Sequence, residues 1–504
     1  MGKGMSALCV IVAASLLLCS SAAFSMEEEK APAPVLFNSA MSFMVYTFTD
    51  EDGLVEIGST PSDQPIEIPP CQWWCVEPRD DEDLDKVAVE VKSKSIPGLR
   101  LPASATDNSL AHLKGLTGLR TLDVCSTEIT LKPCDGWPSI RQAGLERTKI
   151  TDAGLEHLKG LTSLQTLFLT QTQITDAGLV HLEGFAGLKR LSLWGTKVTD
   201  AGLVHLKGLT ALEVLDLPSE ITDAGLAQLK GLTSLIALDL QGTQVTDAGL
   251  MHLKGLTRLQ MLDLTLTQVT ETGLAQLKGL KKLRGLYLLG NNITPAGFVH
   301  LSGLTGLQLL RIDATPVTDA GLAQLKGLTG LQRLGLSRTE INGAGFEHLK
   351  DLTRLRTLNV SQSKVTDAGL VHLKSLTGLQ TLDISSTNVS DAGIVNLKGL
   401  TGLQTLNLAA TKITDASLVN LKGLTHLQTL NLCQNKVTDA ALVHLKGLTA
   451  LRELDLSWTE ITDAGLVHLK GLTGLHRLCL GNRKVTVAAL EELQKSLPKT
   501  EIEY

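Results

Sequence analysis

The stretch Leu164-Gln-Thr-Leu167-Phe-Leu169-Thr-Gln-Thr172-Gln-Ile174-Thr-Asp176-Ala-Gly-Leu179-Val-His-Leu182 is one copy of a unit that recurs along most of the 504-residue chain. Its Thr-Asp-Ala-Gly element returns every 24 residues or a multiple of 24, with one step of 23. A fixed period in this range predicts a solenoid, in which each repeat completes its core against its neighbours. The aspartates of these elements are Asp152, Asp176, Asp200, Asp223, Asp247, Asp319, Asp367, Asp391, Asp415, Asp439 and Asp463.

Each repeat combines a strand pattern with a helix pattern. In Leu167-Phe168-Leu169 the apolar residues alternate with an outward position, which is typical of a half-buried strand. Leu179, Leu182 and Phe185 recur every third residue, which places them on one face of a helix. Thr175 precedes this helix as a predicted N-cap, with Asp176 in its first turn.

One strand and one helix per repeat predict an α/β fold. We expect a right-handed, horseshoe-shaped solenoid with a parallel sheet on its concave face and short helices on its convex face. The Leu-x-Leu triplets predict seventeen strands, from Leu99–Leu101 through Leu478–Leu480.

The repeat pattern L-x-x-L-x-L-x-x-T-x-[IV]-T-D-A-G-L-x-x-L resembles the leucine-rich repeat family. It is closest to the secreted bacterial repeats of the TDAGL type, and it is also similar to the cysteine-containing repeats of F-box substrate receptors. The resemblance covers residues 96–486 and implies a scaffold for protein recognition. Other members carry a ladder of buried Asn or Cys, where this chain has Thr, so we expect the hydroxyls to satisfy neighbouring backbone groups. These threonines include Thr172, Thr196, Thr243, Thr387 and Thr411.

The first 25 residues read as an export signal. Lys3 precedes an apolar run, Leu8–Leu18, that is too short to span a bilayer. Ala23-Phe24-Ser25 fits a small-x-small cleavage site, so the mature chain is expected to begin at Met26, without a membrane span. The alternative is an uncleaved anchor. Cleavage predicts a secreted protein, or one of the periplasm or cell envelope.

Residues 26–95 differ from the repeats in charge and composition. They hold sixteen acidic and five basic residues, a balance of −11, which argues against nucleic acid as a partner. Residues Ser42–Ile57 fit a hairpin, and a proline-rich connector leads to Cys71-Gln-Trp-Trp-Cys75, an apolar plug for the first repeat. We interpret the region as an N-terminal cap, or else a small independent domain. At the other end, residues 487–504 predict a capping helix and an edge strand.

The cysteines and histidines carry little functional signal. Cys71, Cys75, Cys125 and Cys134 are available for two disulfide bonds in any of three pairings, whereas Cys433 and Cys479 are expected to be free thiols. Ten of the twelve histidines share one helix position, which repeat duplication explains. The sequence contains no motif for a cofactor, a metal or catalysis, so we expect a non-enzymatic protein.

The outward strand positions of the middle repeats are the predicted binding site, because aromatic residues are only 3% of the chain and several fall there beside charges. The acids of this set are expected to be solvated, and the partner to be a protein that binds a monomer. Three alternatives remain: an F-box-like adaptor for substrate recognition, an enzyme whose chemistry would have to lie in residues 26–95, and a passive structural protein of the cell envelope. The predicted site residues are Phe168, Trp194, Asp216, Asp239, Asp263, Tyr287, Leu289, Arg311 and Asp313. Next along the sheet is a polar stretch with Asn359, Asp383, Asn407 and Asn431.

Overall fold

The computed structural model describes residues 35–49, 53–62, 64–68, 74–79, 83–113, 116–129, 140–481 and 484–504. The predicted export signal, Cys71 and Cys134 lie outside these residues. The chain forms two compact units, Met1–Thr267 and Gln268–Tyr504.

The first unit is built around a sheet whose strands follow one another in chain order. An antiparallel pair, Phe43–Thr49 and Gly53–Ser59, joins Trp74–Pro78, which in turn pairs in parallel with Gly98–Arg100. The hairpin predicted around Ser42–Ile57 is therefore confirmed. A separate antiparallel pair is formed by Val35–Phe37 and Ile66–Ile68. The parallel strands continue as Thr121–Asp123, Gln142–Gly144, Thr166–Phe168, Arg190–Ser192, Val214–Asp216, Ala237–Asp239 and Met261–Asp263.

Short helices return the chain from one strand to the next in this unit. The α-helices are Leu84–Ser93, Asp107–His112, Asp152–Glu156, Asp176–Leu179 and Asp223–Gln228. The 3₁₀ helices are His157–Gly160, Val180–Leu182, Gly202–Leu206, Leu229–Gly231 and Gly249–Gly255. A buried leucine at every third position suits the three residues per turn of a 3₁₀ helix.

The second unit repeats this design. Its parallel strands are Gly285–Tyr287, Leu309–Arg311, Arg333–Gly335, Thr357–Asn359, Thr381–Asp383, Thr405–Asn407, Thr429–Asn431, Glu453–Asp455, Arg477–Cys479 and Glu501–Glu503. Its α-helices are Glu271–Leu274, Asp319–Leu322, Asp367–Leu370, Asp391–Ile394, Asp415–Leu418, Asp439–Leu442 and Val487–Ser496. Its 3₁₀ helices are Ala275–Gly279, Pro295–Leu301, Ala323–Leu325, Ala344–Leu349, Val371–Ser375, Val395–Leu397, Val443–Leu445 and Gly465–His468.

The predicted solenoid fold is confirmed in both units. Among the described residues, eight parallel strands of the first unit, starting at Gly98–Arg100, and nine of the second, ending at Arg477–Cys479, together make the seventeen expected. The core is a stack of leucine layers between the sheet and the helices, and Leu167, Leu179 and Leu182 are all fully buried. No helix in the described part of the chain combines the length and the apolar character needed to cross a bilayer.

The threonines that follow the strands bond to the backbone, as predicted. Thr172 donates its hydroxyl to the carbonyl of Leu169 at 2.6 Å, and Thr196 donates to Leu193 at 2.7 Å. The same bond is formed by Thr243, Thr387 and Thr411. These bonds turn the chain after each strand and leave no buried hydroxyl unsatisfied at these positions.

The Thr-Asp-Ala-Gly element links one repeat to the next. Thr175 accepts a bond from the Ala177 amide at 3.3 Å, which confirms its role as an N-cap. Asp176 does more than complement the helix charge, because its two carboxylate oxygens accept bonds from the amide and the hydroxyl of Thr199, both at 2.7 Å. Each repeat of this type is therefore fastened to its successor by a carboxylate.

Candidate functional site

The outward residues of each sheet form two columns. The strand column contains the third residue of each parallel strand, and the loop column contains the residue two positions later. In the first unit, the strand register aligns Phe168, Ser192, Asp216, Asp239 and Asp263 in the strand column, and Trp194 belongs to the loop column. In the second unit, Tyr287 and Arg311 are neighbours in the strand column, with Leu289 and Asp313 in the loop column.

The polar residues of the strand column shape the loops that follow the strands. Asp239 accepts a bond from the amide of Gln241 at 2.8 Å, and Asp263 accepts one from Thr265 at 2.7 Å. The polar stretch of the second unit does the same at Asn359, Asp383, Asn407 and Asn431, each of which accepts from the amide two residues later. Sequence analysis missed this role, although the short spacing from a polar side chain to a turn amide is a recognisable signal.

The expectation that the acids of the first unit are solvated is wrong. Asp216 and Asp239 are 2% exposed and Asp263 is 1% exposed. Burial raises the pKa of Asp239 well above its ordinary value, and the carboxyl groups of Asp263 and Asp216 on the two adjacent strands raise it further. Because three carboxylates on neighbouring strands repel one another in a site with little water, the row cannot act as a fully charged exposed patch.

Asp216 differs from the other members of the row in its loop. The residue two positions later is Pro218, which has no amide hydrogen to donate. The first residues of the three acidic strands, Val214, Ala237 and Met261, are apolar and also buried. In the middle of the first unit, the face of the sheet that points away from the core is therefore more apolar than the sequence pattern indicated.

Phe168 and Trp194 form the accessible part of the predicted site in the first unit. Both side chains are half-buried. Phe168 lies in register between Gly144 and Ser192, which are small. The carbonyl of Trp194 accepts a bond from the Gln171 amide at 2.8 Å, which places the residue beside the loop of the preceding repeat. The strand and its loop thus fix the backbone of both aromatic residues while part of each ring remains open.

The predicted residues of the second unit are of two kinds. Tyr287 and Leu289 are half-buried, as is Arg311. Asp313 is 1% exposed, pairs with the Arg311 guanidinium, and accepts bonds from the amide and hydroxyl of Ser337 at 2.9 and 2.7 Å. Asp313 therefore holds Arg311 in place and is not itself an open contact residue.

Gly335 makes the pairing of Arg311 and Asp313 possible. A Cβ atom at residue 335 would lie closer than 3.0 Å to Arg311 Nε and to Asp313 Oδ2. The arginine therefore lies across a strand position that has no side chain.

Trp458 is an exposed aromatic residue that sequence analysis did not select. Its side chain is 69% exposed, and its φ of 57° places it in the left-handed region, one residue beyond the loop column. The alternation of strand residues carries no signal for this position, because it lies in the turn.

Comparison with known families identifies the repeats. Models described as "Leucine rich repeat" match residues 377–437 and 401–461, and another of the same description matches residues 231–254. The repeats in these two segments, residues 231–254 and 377–461, are leucine-rich repeats. A search of curated protein sequences gave no match.

Solved structures of leucine-rich repeat proteins are similar to the chain. The TLR13–ssRNA13 complex matches with 22% identity and a TM-score of 0.50, over 77% of this chain and 65% of TLR13, which supports the shared fold. A leucine-rich repeat protein from Leptospira interrogans is 20% identical over 81% of this chain and 90% of its own, with a TM-score of 0.48. An internalin from Listeria monocytogenes is 27% identical over 65% and 83% of the two chains, with a TM-score of 0.45.

Proposed function

We propose that this leucine-rich repeat scaffold is exported and binds a protein partner through the outer face of the sheet in its first unit. The observation that carries the proposal is the pair of half-buried aromatic residues in adjacent repeats, Phe168 at the end of its strand and Trp194 in the loop after the next strand. Leucine-rich repeat scaffolds typically act in protein recognition, and nothing in the described residues points to catalysis. The scaffold is proposed to act as a monomer outside the cytoplasm, with residues 1–25 removed.

The physical reason is that aromatic residues on a fixed backbone are efficient contact residues. A ring buries a large area on binding while only two side-chain torsions lose freedom. The backbone at Trp194 is already held by its hydrogen bond with Gln171, so little additional conformational entropy is lost when a partner binds. Because Asp216, Asp239 and Asp263 are buried, we expect the partner to be bound mainly through these rings and not through the charges of the acidic row.

Tyr287, Leu289 and Arg311 form a separate candidate surface on the second unit. Arg311 is held by Asp313, so its guanidinium is oriented before any partner arrives. These residues belong to the second unit, so their contribution to binding is tested independently of Phe168 and Trp194.

The experiment begins with the secreted or envelope fraction, where N-terminal sequencing is expected to find Met26 as the first residue. Pull-down with the processed chain and mass spectrometry then provides the partner for affinity measurements. Trp194→Ala and Phe168→Ala are each expected to weaken binding by about 2 kcal/mol, which is roughly thirtyfold in Kd, with little change in the melting curve.

Trp458→Ala is the matched control, because it removes the same ring from an exposed turn of the second unit. It is expected to leave the affinity unchanged. An unchanged affinity in the Phe168→Ala, Trp194→Ala double variant, or a loss with Trp458→Ala alone, would refute the proposed surface.

A further inference from the structure

Three metal-ligating side chains come together at the start of the first unit, outside the proposed binding surface. Asp123 ends the strand Thr121–Asp123, and Cys125 follows in the loop column. Glu146 occupies the loop column of the next repeat, where its carbonyl accepts a bond from the Ser126 amide at 2.8 Å. One ligand atom from each of Asp123, Cys125 and Glu146 lies within 4.8 Å of the other two.

A glycine on the neighbouring strand allows two of these side chains to approach it closely. Gly144 is the strand-column neighbour of Asp123 and has no side chain. A Cβ atom at residue 144 would lie 3.1 Å from Asp123 Oδ1 and 3.1 Å from Cys125 Sγ. Both distances are shorter than an ordinary van der Waals contact, so a larger residue at this position would push the Asp123 and Cys125 side chains aside.

One guanidinium is shared by two of the carboxylates around this cluster. The Arg100 guanidinium lies 3.6 Å from Asp123 Oδ2 and 3.6 Å from Glu77 Oε2. It therefore contacts the other carboxylate oxygen of Asp123, not Oδ1, which is the one near Gly144. The Cys125 thiol donates to the Glu146 carboxylate. Asp123 Oδ1 accepts from the Cys125 amide at 2.9 Å, so hydrogen bonds hold the three side chains in one cluster.

We propose that Asp123, Cys125 and Glu146 bind one Zn²⁺ ion between their three ligand atoms. Zn²⁺ accepts a thiolate together with carboxylate oxygens, whereas Ca²⁺ and Mg²⁺ prefer oxygen alone. The thiol proton leaves to solvent as the sulfur coordinates the metal, and the three protein ligands leave a fourth position open. Sequence analysis had no signal for this site, because its ligands come from two repeats at a spacing that matches no zinc motif.

Cys433 provides an internal comparison for this site. Cys433 also lies in the loop column, and its amide donates to Asn431 Oδ1 at 2.9 Å, as the Cys125 amide does to Asp123 Oδ1. In the following repeat, however, Ser457 takes the place of Glu146, and Asp455 takes the place of Gly144. The Cys433 position therefore has a thiol in the same backbone setting, but an amide and a hydroxyl replace the carboxylates of Asp123 and Glu146, and the glycine is missing.

The test uses the full chain, free of affinity tags and reduced, with Zn²⁺ or Co²⁺ alone as the probe. Co²⁺ bound by a thiolate gives a charge-transfer absorption that histidine and carboxylate ligands do not. We expect this band in the wild-type chain and in Cys433→Ser, and its loss in Cys125→Ser. Glu146→Gln and Gly144→Ala, which keep the thiol, are expected to weaken Zn²⁺ binding by about tenfold or more.

Circular dichroism establishes that each variant is folded before titration. Zn²⁺ is also expected to slow alkylation of Cys125, mapped by peptide mass, without slowing that of Cys433. The proposal is overturned if the charge-transfer band is absent from the folded wild-type chain, survives Cys125→Ser or disappears in Cys433→Ser. A disulfide bond at Cys125 in the purified chain would overturn it as well.

Discussion

At the scale of single residues, the strand column shows that an outward position need not be an exposed one. Asp239 follows the alternating pattern of its strand, and its side chain leaves the core as predicted. Its carboxylate is nevertheless buried, because it turns back to the Gln241 amide and lies between Asp216 and Asp263. The alternation of a strand reports the direction of a side chain, whereas its burial depends on neighbours from other repeats.

Asp239→Asn is expected to stabilise the chain above about pH 4. Folding raises the pKa of Asp239 above its unfolded value of about 3.9, so the folded state binds more protons and stability falls as the pH rises through this window. Each unit by which the pKa is raised costs about 1.4 kcal/mol once the pH exceeds both values. Asparagine keeps the acceptor for the Gln241 amide, as Asn359 and Asn407 do in their loops.

The measurement is the urea unfolding midpoint at pH 5 and pH 8. The gain from Asp239→Asn should be larger at pH 8. Asp383→Asn is the control, since Asp383 makes the same loop bond but lies between Asn359 and Asn407, which carry no charge. A gain that is equal at both pH values, or equal in the two variants, would contradict the role assigned to the acidic row.

Leu334→Ala tests the register of the core. Leu334 is 1% exposed and lies at the centre of the strand Arg333–Gly335, so its truncation should cost about 2–5 kcal/mol through the cavity that remains. His372→Ala, on the helical side in Val371–Ser375, should change the free energy of unfolding by only about 0.5 kcal/mol. Urea unfolding of the two variants provides the comparison, and equal losses would mean that the register is misassigned.

At the scale of elements, each repeat is held to the next by a contact that the sequence predicted only in part. The position of Asp223 after Thr222 predicted a helix start, and Asp223 does begin the helix Asp223–Gln228. Its carboxylate also accepts bonds from the amide and the hydroxyl of Thr246, at 2.8 and 2.6 Å. The period of 24 residues predicts which repeats are neighbours, but the direction of this side chain across the gap is visible only in the structure.

Gly249→Ala is expected to destabilise the first unit. A Cβ atom at Gly249 would lie closer than 3.0 Å to Asp223 Oδ1, so the carboxylate that anchors Thr246 would have to move. Overpacking of this kind costs about 1–3 kcal/mol, in addition to any weakened hydrogen bonds. Thermal unfolding followed by circular dichroism measures the loss.

Gly255→Ala is a control within the same 3₁₀ helix, Gly249–Gly255. The nearest atom to a Cβ at Gly255 is the Lys230 carbonyl oxygen at 3.9 Å, which is an ordinary contact. This variant should therefore be neutral or slightly more stable, because alanine has less freedom than glycine in the unfolded chain. If both variants lose the same stability, the loss in Gly249→Ala is not caused by the close approach of its Cβ atom to Asp223.

At the scale of the whole molecule, repetition explains why so much of the fold was predictable. A leucine pattern copied many times fixes strand, turn and helix with little ambiguity, as at Leu167 and Leu179. The candidate sites were harder to predict because they depend on departures from the pattern. Gly144 and Glu146 each differ from the residues at the same positions in neighbouring repeats, and their significance appears only once Asp123 and Cys125 lie beside them.

The last repeat shows what an end of such a stack requires. The strand Arg477–Cys479 pairs with Glu501–Glu503, and the guanidinium of Arg477 binds the Glu503 carboxylate. Leu490 and Leu493 are buried on the side of the helix Val487–Ser496 that covers the final layer, and Leu497, the residue after the helix, is buried as well. Without these residues, Leu478 and Leu480 would meet solvent and the strand would offer an unpaired edge.

Removal of residues 487–504 is therefore expected to lower the unfolding midpoint of the second unit and to cause association through the exposed edge. Light scattering should detect species larger than a monomer, and urea unfolding should begin at a lower concentration than in the full chain. Tyr504→Ala is the control, since this side chain is 74% exposed and its loss should change neither measurement. A truncated chain that remains monodisperse, with the unfolding midpoint of the full chain, would show that the last repeat is stable with an open edge. The terminal helix and strand would then have a role other than covering the core.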